Sequence, residues 1–346
     1  MPRLPRLRHH AGPGAAGRAK GLFPGIAVAV LVAITAQFLS EHYGAPAMLM
    51  ALLLGLALHF LADEGTRTRP GIEFASRAIL QVGVALLGAR ISAQMIADLG
   101  LATIGLVVAG IVATILVSLL LARAFGQDWR LALLTGGSVA ICGASAAMAI
   151  AAVLPRDERS ERNLAFTVLS VTLLSTVAMV AYPPLVGALG LSAPEAGVFL
   201  GGTIHDVAQV VGAGFSISPE VGETATLVKL IRVSMLAPVV LAVSLAVRAR
   251  GQAERVAAGG RPPLLPGFVL GFLALATLNS LALIPVPVAD LAAGLSRWAL
   301  LAAIAAVGIR TSLVRMLAVG GNAVALIVAE SALLAGVILA GLHLLS

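Results

Sequence analysis

The sequence predicts an all-α protein that crosses a lipid bilayer many times. Of its 346 residues, 59% are hydrophobic and only 11% are charged, whereas a soluble domain carries roughly 25% charged residues. The apolar residues gather in long runs, and a membrane-spanning helix needs about 20 of them. Strands of alternating polar and apolar residues are absent, which excludes a β-barrel. Too few polar residues remain to cover a water-soluble globule of this size.

Apolar runs separated by Pro- and Gly-rich joints predict about eleven membrane segments. They cover residues 22–40, 46–62, 73–91, 99–122, 129–154, 163–188, 194–214, 224–248, 265–284, 288–309 and 318–344. Residues 1–20 are basic and rich in Gly and Pro, and we expect a disordered cytoplasmic tail there rather than a cleaved signal peptide. Residues 21–346 are expected to form one transmembrane domain.

The distribution of Lys and Arg predicts the orientation of the chain, because basic residues concentrate in cytoplasmic loops. If every segment crosses once and the amino terminus lies inside, 16 basic residues lie inside and 5 outside. If the fifth and seventh segments are instead re-entrant hairpins from opposite faces, the ratio becomes 19 to 2. Both topologies place the carboxyl terminus outside. The net charge of +7 is therefore attributed to basic residues that orient the chain in the membrane, and no nucleic-acid partner is expected.

An internal repeat relates the two ends of the chain. SRAILQVGVALLGARIS at 76–92 and SRWALLAAIAAVGIRTS at 296–312 share their Ser-Arg start and their Gly-x-Arg-x-Ser end at an offset of 220 residues. At the same offset Pro46 aligns with Pro266. The third segment runs outward and the tenth inward, so residues 46–122 and 266–344 are predicted to form an inverted repeat, as in many secondary transporters.

Two glycine-rich stretches interrupt the apolar segments 129–154 and 194–214. They read GGSVAICGASAA at 136–147 and GGTIHDVAQVVGAG at 201–214. Glycine costs about 1 kcal/mol in a helix interior, and unwound backbone at membrane depth is tolerated only against protein or a water-filled cavity. The stretches therefore predict two broken helices around a substrate site, although tight packing through small residues is an alternative for the first.

Half-helices that begin near Gly143 and Val207 would aim free backbone N–H groups and a positive dipole end at a solute. Polar and small side chains at the two breaks are candidate substrate contacts. They are Ser138, Cys142, Gly143, Ser145, Thr203, His205 and Gln209.

Ionisable residues at membrane depth are functional candidates by default. Lys229 and Arg232 share one helix face and would contact an anionic substrate, pair with Asp206 or Glu330, or snorkel to the outer surface. His205 and Asp206 could relay a proton. Alternatively, Asp206 could bind Na⁺ or cap a half-helix. His205, Asp206 and Glu330 are thus the candidate coupling-ion residues.

With these motifs in view, the chain after residue 20 resembles the YeiH-like bacterial inner-membrane proteins that carry a sulfate-exporter label. The resemblance rests on GGSVAICGASA at 136–146, HDVAQV at 205–210 and VKLIRV at 228–233. It implies a polytopic transporter with two crossing broken helices, a fold similar to that of sodium/proton antiporters and bile-acid symporters. It also implies a bacterial inner-membrane location, in which the orientation predicted from Lys and Arg places the amino terminus in the cytoplasm and the carboxyl terminus in the periplasm. The resemblance supports the site at both breaks.

The favoured hypothesis is a secondary active transporter of a small anion, sulfate or a sulfonate-like compound, that works by alternating access and is coupled to H⁺ or Na⁺. The alternative is a Na⁺/H⁺-type cation–proton exchanger that uses Asp206 and Glu330. GxxxxGK[ST], HExxH and GxSxG are absent, so we expect neither ATP hydrolysis nor enzymatic activity. The expected partners are the anion, the coupling ion and membrane lipid. No metal or cofactor is expected, and a homodimer is left open.

Overall fold

The protein is helical throughout the part of the chain that the computed structural model describes, residues 15–43, 45–155, 157–249, 267–311 and 321–345. Its helices are α1 Ala15–Tyr43, α2 Ala47–Ala57, α3 Arg69–Phe74, α4 Leu80–Leu87, α5 Ala93–Ala124, α6 Trp129–Ala140, α7 Ala144–Ala151, α8 Ser160–Ala188, α9 Ala193–Thr203, α10 Val207–Ile217, α11 Pro219–Ser234, α12 Leu236–Ala249, α13 Gly267–Ser280, α14 Val286–Arg310 and α15 Gly321–Leu345. Residues 1–14 of the predicted tail lie outside the described residues.

The expectation of a polytopic helical membrane protein is confirmed. Seven helical stretches in the described residues are long and apolar enough to cross a membrane. They are Lys20–Tyr43, Arg69–Arg90, Ala97–Ala124, Ser160–Ala188, Pro219–Val247, Val286–Arg310 and Ala323–Leu345. Large apolar side chains on them, such as Leu31, Leu116 and Leu241, are more than half exposed. The count of about eleven segments and the inverted repeat stay predictions.

Two groups of helices pack side by side. The first bundle comprises α1–α4, α13 and α14, and the second comprises α5–α11 and α15. Small residues bring helices of the first bundle close together, since a β-carbon at Gly55 in α2 would lie 3.0 Å from the Cα of Gly308 in α14. Helix α10 of the second bundle contacts α2 and α14 of the first. The candidate site lies where the bundles face each other.

A π-helical turn interrupts the stretch between α3 and α4. It spans Ala75–Ile79 and includes Ser76 and Arg77. Such turns are rare in helices and are frequent at functional sites. This turn faces the cavity described below.

Candidate functional site

The helices α6 and α7 fold back on each other as a hairpin, called hairpin 1 (residues 129–151). A β-carbon on Gly137 would collide with the side chain of Ile150, so the last turn of α6 touches the second turn of α7. At the open end, Arg130 Nη1 lies 2.6 Å from Asp157 Oδ2. The Ser160 hydroxyl, which hydrogen-bonds to Asp157, holds the pKa of that carboxyl below its usual range. Both ends of hairpin 1 therefore lie at the same face of the protein.

The helices α9 and α10 form a second hairpin, called hairpin 2 (residues 193–217), and both pack along α11. Near the start of α11, β-carbons at Gly197 and Gly214 would touch Thr224 and Gly222, respectively. Further along α11, Lys229 contacts the end of α9 at Ile204. The helix α9 therefore runs parallel to α11 and α10 runs antiparallel, so the tip of hairpin 2 lies beside Lys229.

Local backbone geometry turns the chain at each tip. In hairpin 1 the break is Ile141–Gly143, and Gly143 has φ +53°, a conformation that L-residues with a side chain rarely adopt. Its N–H donates to Ser138 O at 2.8 Å. In hairpin 2, Ile204 and Asp206 are extended, with ψ of 138° and 146°. The Asp206 N–H donates to Ser175 Oγ of α8 at 3.0 Å.

Arg232 and Lys229 join the two tips from α11. Both side chains are fully buried, at 1% and 0% exposure. Arg232 donates to the carbonyls of Val139 and Ala140 in hairpin 1, at 2.7 and 2.9 Å. It also donates to two carbonyls of hairpin 2, those of Gly201 and Ile204, each at 2.9 Å.

Lys229 donates to Ile141 O at 2.7 Å and to Ile204 O at 3.0 Å. The last carbonyls of a helix have no partner within it, and the negative end of the helix dipole favours a cation. The two cations therefore satisfy the carboxyl ends of α6 and α9 together. Because Lys229 and Arg232 are buried against backbone, they do not snorkel to a membrane surface.

The tips meet where Asp206 faces Gly143. A β-carbon at Gly143 would collide with the Asp206 carboxylate. That carboxylate lies close to the N–H of Ala144, the first residue of α7, and to the Thr172 hydroxyl. A carboxylate is stabilised at a helix amino terminus, and Asp206 of hairpin 2 lies at the start of α7, the second half of hairpin 1.

A cavity of about 560 Å³ lies between the two tips and the first bundle. Of the residues predicted from sequence, Cys142, Ser145, Asp206 and Gln209 line it. Ser145 is exposed to it, and Asp206 is partly exposed. Gln209 is buried, its Nε2 lies 3.5 Å from Thr176 Oγ1, and its Oε1 has no partner in the described residues. The amino-terminal turns of α7 and α10 also border the cavity, through Ala144, Ser145 and residues 207–209.

The other predicted residues lie behind the cavity wall. Ser138 and Thr203 donate to Leu134 O and Phe199 O within their own helices. Lys229 and Arg232 are not among the lining residues. Gly143 lies at the meeting point of the tips.

Helix α15 contacts both hairpins through two consecutive residues. His205 Nε2 lies 3.0 Å from Ser331 Oγ. Glu330, with 0% exposure, accepts hydrogen bonds from Ser118 in α5 and, at 2.8 Å, from Thr135 in hairpin 1. Glu330 Oε2 and His205 Nδ1 have no partner in the described part of the chain. His205 and Glu330 are thus buried away from the cavity, whereas Asp206 borders it.

Two arginines that line the cavity were absent from the candidates chosen by sequence. Arg77 lies in the π-turn and Arg310 ends α14, and both are exposed. The sequence carries a signal for them, since Arg77 belongs to the Ser-Arg start of one copy of the repeat and Arg310 to the Gly-x-Arg-x-Ser end of the other. Within the described residues, no group of three or more His, Cys, Asp or Glu side chains is arranged to bind a metal ion.

Comparison with known proteins finds a family that covers most of the chain. A family model described as conserved hypothetical protein 698 matches residues 20–329. Two relatives are named UPF0324 membrane protein TauZ. The one from Paracoccus pantotrophus is 72% identical over 93% of this chain and 95% of its own. The one from Paracoccus denitrificans is 69% identical over 95% of this chain and 97% of its own.

A further relative, UPF0324 membrane protein RB0971 from Rhizobium meliloti, is 64% identical over 93% of both chains. No solved structure matches the chain significantly.

Proposed function

The chain belongs to the UPF0324 (YeiH-like) family of membrane proteins, and from that premise we propose that it is a secondary active transporter of a small anion, sulfate or a sulfonate-like compound. The observation that carries the proposal is the cavity between the hairpin tips. Two helix amino termini and two arginines border it, and each of these features favours a negative charge.

Both hairpins are proposed to enter the bilayer from opposite faces and to turn back at mid-depth. The twelve residues of α6 and the eleven each of α9 and α10 make helices of about 16–18 Å. A hydrocarbon core is about 30 Å thick, so none of the three could span it alone. The 19-to-2 distribution of basic residues also favours hairpins. In this topology the amino terminus is cytoplasmic and the carboxyl terminus periplasmic, in a bacterial inner membrane.

The proposed transport step is a movement of the two bundles relative to each other. The cavity takes one wall from the π-turn, α4, α13 and α14 and the other from the hairpins, α8 and α11. A displacement along this interface would expose the tips first to one side and then to the other, which is alternating access around a fixed site. Lys229 and Arg232 would keep the tips together during the movement.

Asp206 is the proposed coupling residue, with H⁺ or Na⁺ as the coupling ion. It is the only carboxylate among the described residues that line the cavity. The same observation favours the alternative function, cation–proton exchange, in which Asp206 would carry the ion. That alternative gives no role to the cavity arginines, and Glu330, its second carboxylate, does not line the cavity.

Flux measurements in liposomes test the proposal. Purified protein is reconstituted, and uptake of radiolabelled sulfate is followed with an imposed H⁺ or Na⁺ gradient, with protein-free liposomes as control. We expect saturable uptake that one of the two gradients drives and that excess unlabelled sulfate or methanesulfonate suppresses. Saturable flux of labelled Na⁺ against H⁺, without anion flux, would instead support the exchanger.

A further inference from the structure

Two arginine side chains face the hairpin tips from the first bundle. Arg77 lies in the π-turn between α3 and α4, and Arg310 is the last residue of α14. Arg310 Nη1 donates to Ser76 Oγ at 2.8 Å, which holds its guanidinium next to the residue that precedes Arg77. Both side chains are exposed and line the cavity that Asp206 and Gln209 border from the opposite wall.

Neither guanidinium has an anionic partner of its own in the described part of the chain. No carboxylate of the described residues lies within 4.0 Å of Arg77 or Arg310. The nearby Glu73 is paired with Arg69, with Nε and Oε1 3.0 Å apart. Two like charges side by side in a protein of this hydrophobicity are unfavourable unless a counter-ion joins them.

The charges around the cavity sum to a positive value. Arg77 and Arg310 contribute two full positive charges, and the amino termini of α7 and α10 add about half a charge each. Asp206 contributes one negative charge and lies close to the N–H of Ala144. The surplus is sufficient for an anion that carries one or two charges.

We propose that Arg77 and Arg310 bind the oxyanion group of the transported substrate, a sulfate or sulfonate group with three or more oxygens. This inference rests on the proposed transport function and specifies its binding site. A guanidinium fork donates two parallel hydrogen bonds to two oxygens of one group, so two forks match a tetrahedral oxyanion better than a halide. The bound anion would then contact the two arginines of the first bundle and the amino termini of α7 and α10 in the second.

Transport kinetics of the arginine variants form the first test. Each hydrogen bond to a charged group is worth about 1.5–3 kcal/mol, which corresponds to roughly ten- to hundredfold in affinity. We therefore expect Arg77→Gln and Arg310→Gln each to raise the KM for sulfate at least about tenfold. Arg77→Lys should retain part of the affinity, because it keeps the charge and loses the fork.

Arg297→Gln is the matched control. Arg297 occupies the position of Arg77 in the other copy of the predicted repeat, is exposed, and contacts Gln37 Oε1 at 3.2 Å rather than the cavity. We expect its KM to equal that of the wild type. If the wild type transports sulfate and the double variant R77Q/R310Q does so with an unchanged KM, the arginine assignment is wrong and the transport function stands.

A second test measures binding without transport, and it uses Cys142, the only cysteine of the chain. Cys142 lines the same cavity and is 4% exposed, so its labelling by thiol reagents is expected to be slow, and the rate relative to that of a free thiol reports the local potential. In detergent micelles, with each rate divided by the rate of the same reagent with a free thiol, we expect an anionic methanethiosulfonate to be favoured over a cationic one, and sulfate to slow both reactions. In R77Q/R310Q the preference for the anionic reagent and the protection by sulfate should be lost.

The labelling experiment also distinguishes a solute from a lipid headgroup, whose phosphate offers the same chemistry. Protection by sulfate in lipid-free micelles supports a soluble oxyanion. Protection that requires added phosphatidylglycerol and that sulfate cannot reproduce would overturn the assignment to the transported substrate. Equal charge preference in wild type and R77Q/R310Q would overturn the anion site altogether. If the wild type moves no anion in liposomes but sulfate protects Cys142, the binding site stands and the transport function fails.

Discussion

Replacement of Arg232 by Met is expected to destabilise the protein by separating the two hairpin tips. The guanidinium makes four hydrogen bonds to backbone carbonyls, at 2.7–2.9 Å, from a fully buried position. Lys229 still donates to one of these carbonyls, that of Ile204. The substitution therefore leaves three carbonyls without a partner.

The magnitude follows from those three carbonyls. A buried acceptor that loses its partner costs about 1–3 kcal/mol, so the gross loss is about 3–9 kcal/mol. Burial of the guanidinium itself costs several kcal/mol, and its removal returns part of that sum. We expect a net loss of about 3–5 kcal/mol, the lower part of that gross range.

Two further variants provide controls for the destabilisation expected of Arg232→Met. Lys229→Met leaves only Ile141 O without a donor, since Arg232 retains Ile204 O, so about 1–3 kcal/mol is expected. Arg297→Met removes an exposed cation with one contact to Gln37, and less than about 1 kcal/mol is expected. The predicted order of destabilisation is Arg232→Met, then Lys229→Met, then Arg297→Met.

Thermal unfolding of the purified variants in detergent measures this order. At about 2 °C per kcal/mol, Arg232→Met should lower the apparent melting temperature by about 6–10 °C. The readout is the fraction of protein that stays monodisperse in size-exclusion chromatography after heating to each temperature. The structural role of Arg232 would be refuted if the Arg232→Met variant had the same melting temperature as Arg297→Met but no longer bound sulfate. That result would return Arg232 to the role of a direct substrate ligand.

Three further predictions concern the tips and the base of hairpin 1. Gly143→Ala should abolish sulfate uptake, because the alanine would be strained at φ +53° and would collide with Asp206. The control Gly294→Ala in α14, which has open space around it, should transport sulfate as the wild type does. Equal uptake by the two variants would contradict the packing of the tips. Asp206→Asn should abolish gradient-driven uptake and leave the melting temperature within a few degrees of the wild type, and unchanged uptake would remove this carboxylate from the mechanism. The pKa of Asp157 is lowered first by the Ser160 hydroxyl, so its contribution to stability is present above the ordinary value near 3.8 and is lost as pH falls through the lower folded-state pKa. Asp157→Asn should accordingly be less stable than the wild type at pH 7, and the difference should disappear as pH falls below about 4. Melting temperature against pH measures it, and a difference that persists in acid would contradict the assignment of this stability to the Asp157 carboxylate.

Sequence reasoning located both breaks because glycine and polar residues are expensive inside an apolar helix. The first break falls at Ile141–Gly143 and the second at Ile204–Asp206, both within the stretches singled out by composition. Two cations at membrane depth need a negative partner, and the sequence offers carboxylates and a substrate as candidates for Lys229 and Arg232. The actual partners are backbone carbonyls, which no sequence pattern reveals, because every residue has one and the sequence does not mark which are free.

The amino-acid sequence by itself determined that the chain is a helical membrane protein, where two of its apolar segments are interrupted, and that His205, Lys229, Arg232 and Glu330 are buried. Those properties follow from the local cost of placing each residue type in lipid. Tertiary structure alone decided which groups meet. Arg77 and Arg310 are 233 positions apart, and only the packing of α14 against the π-turn brings them to one cavity wall. Such contacts depend on how whole helices pack, and no local pattern of residues specifies that packing.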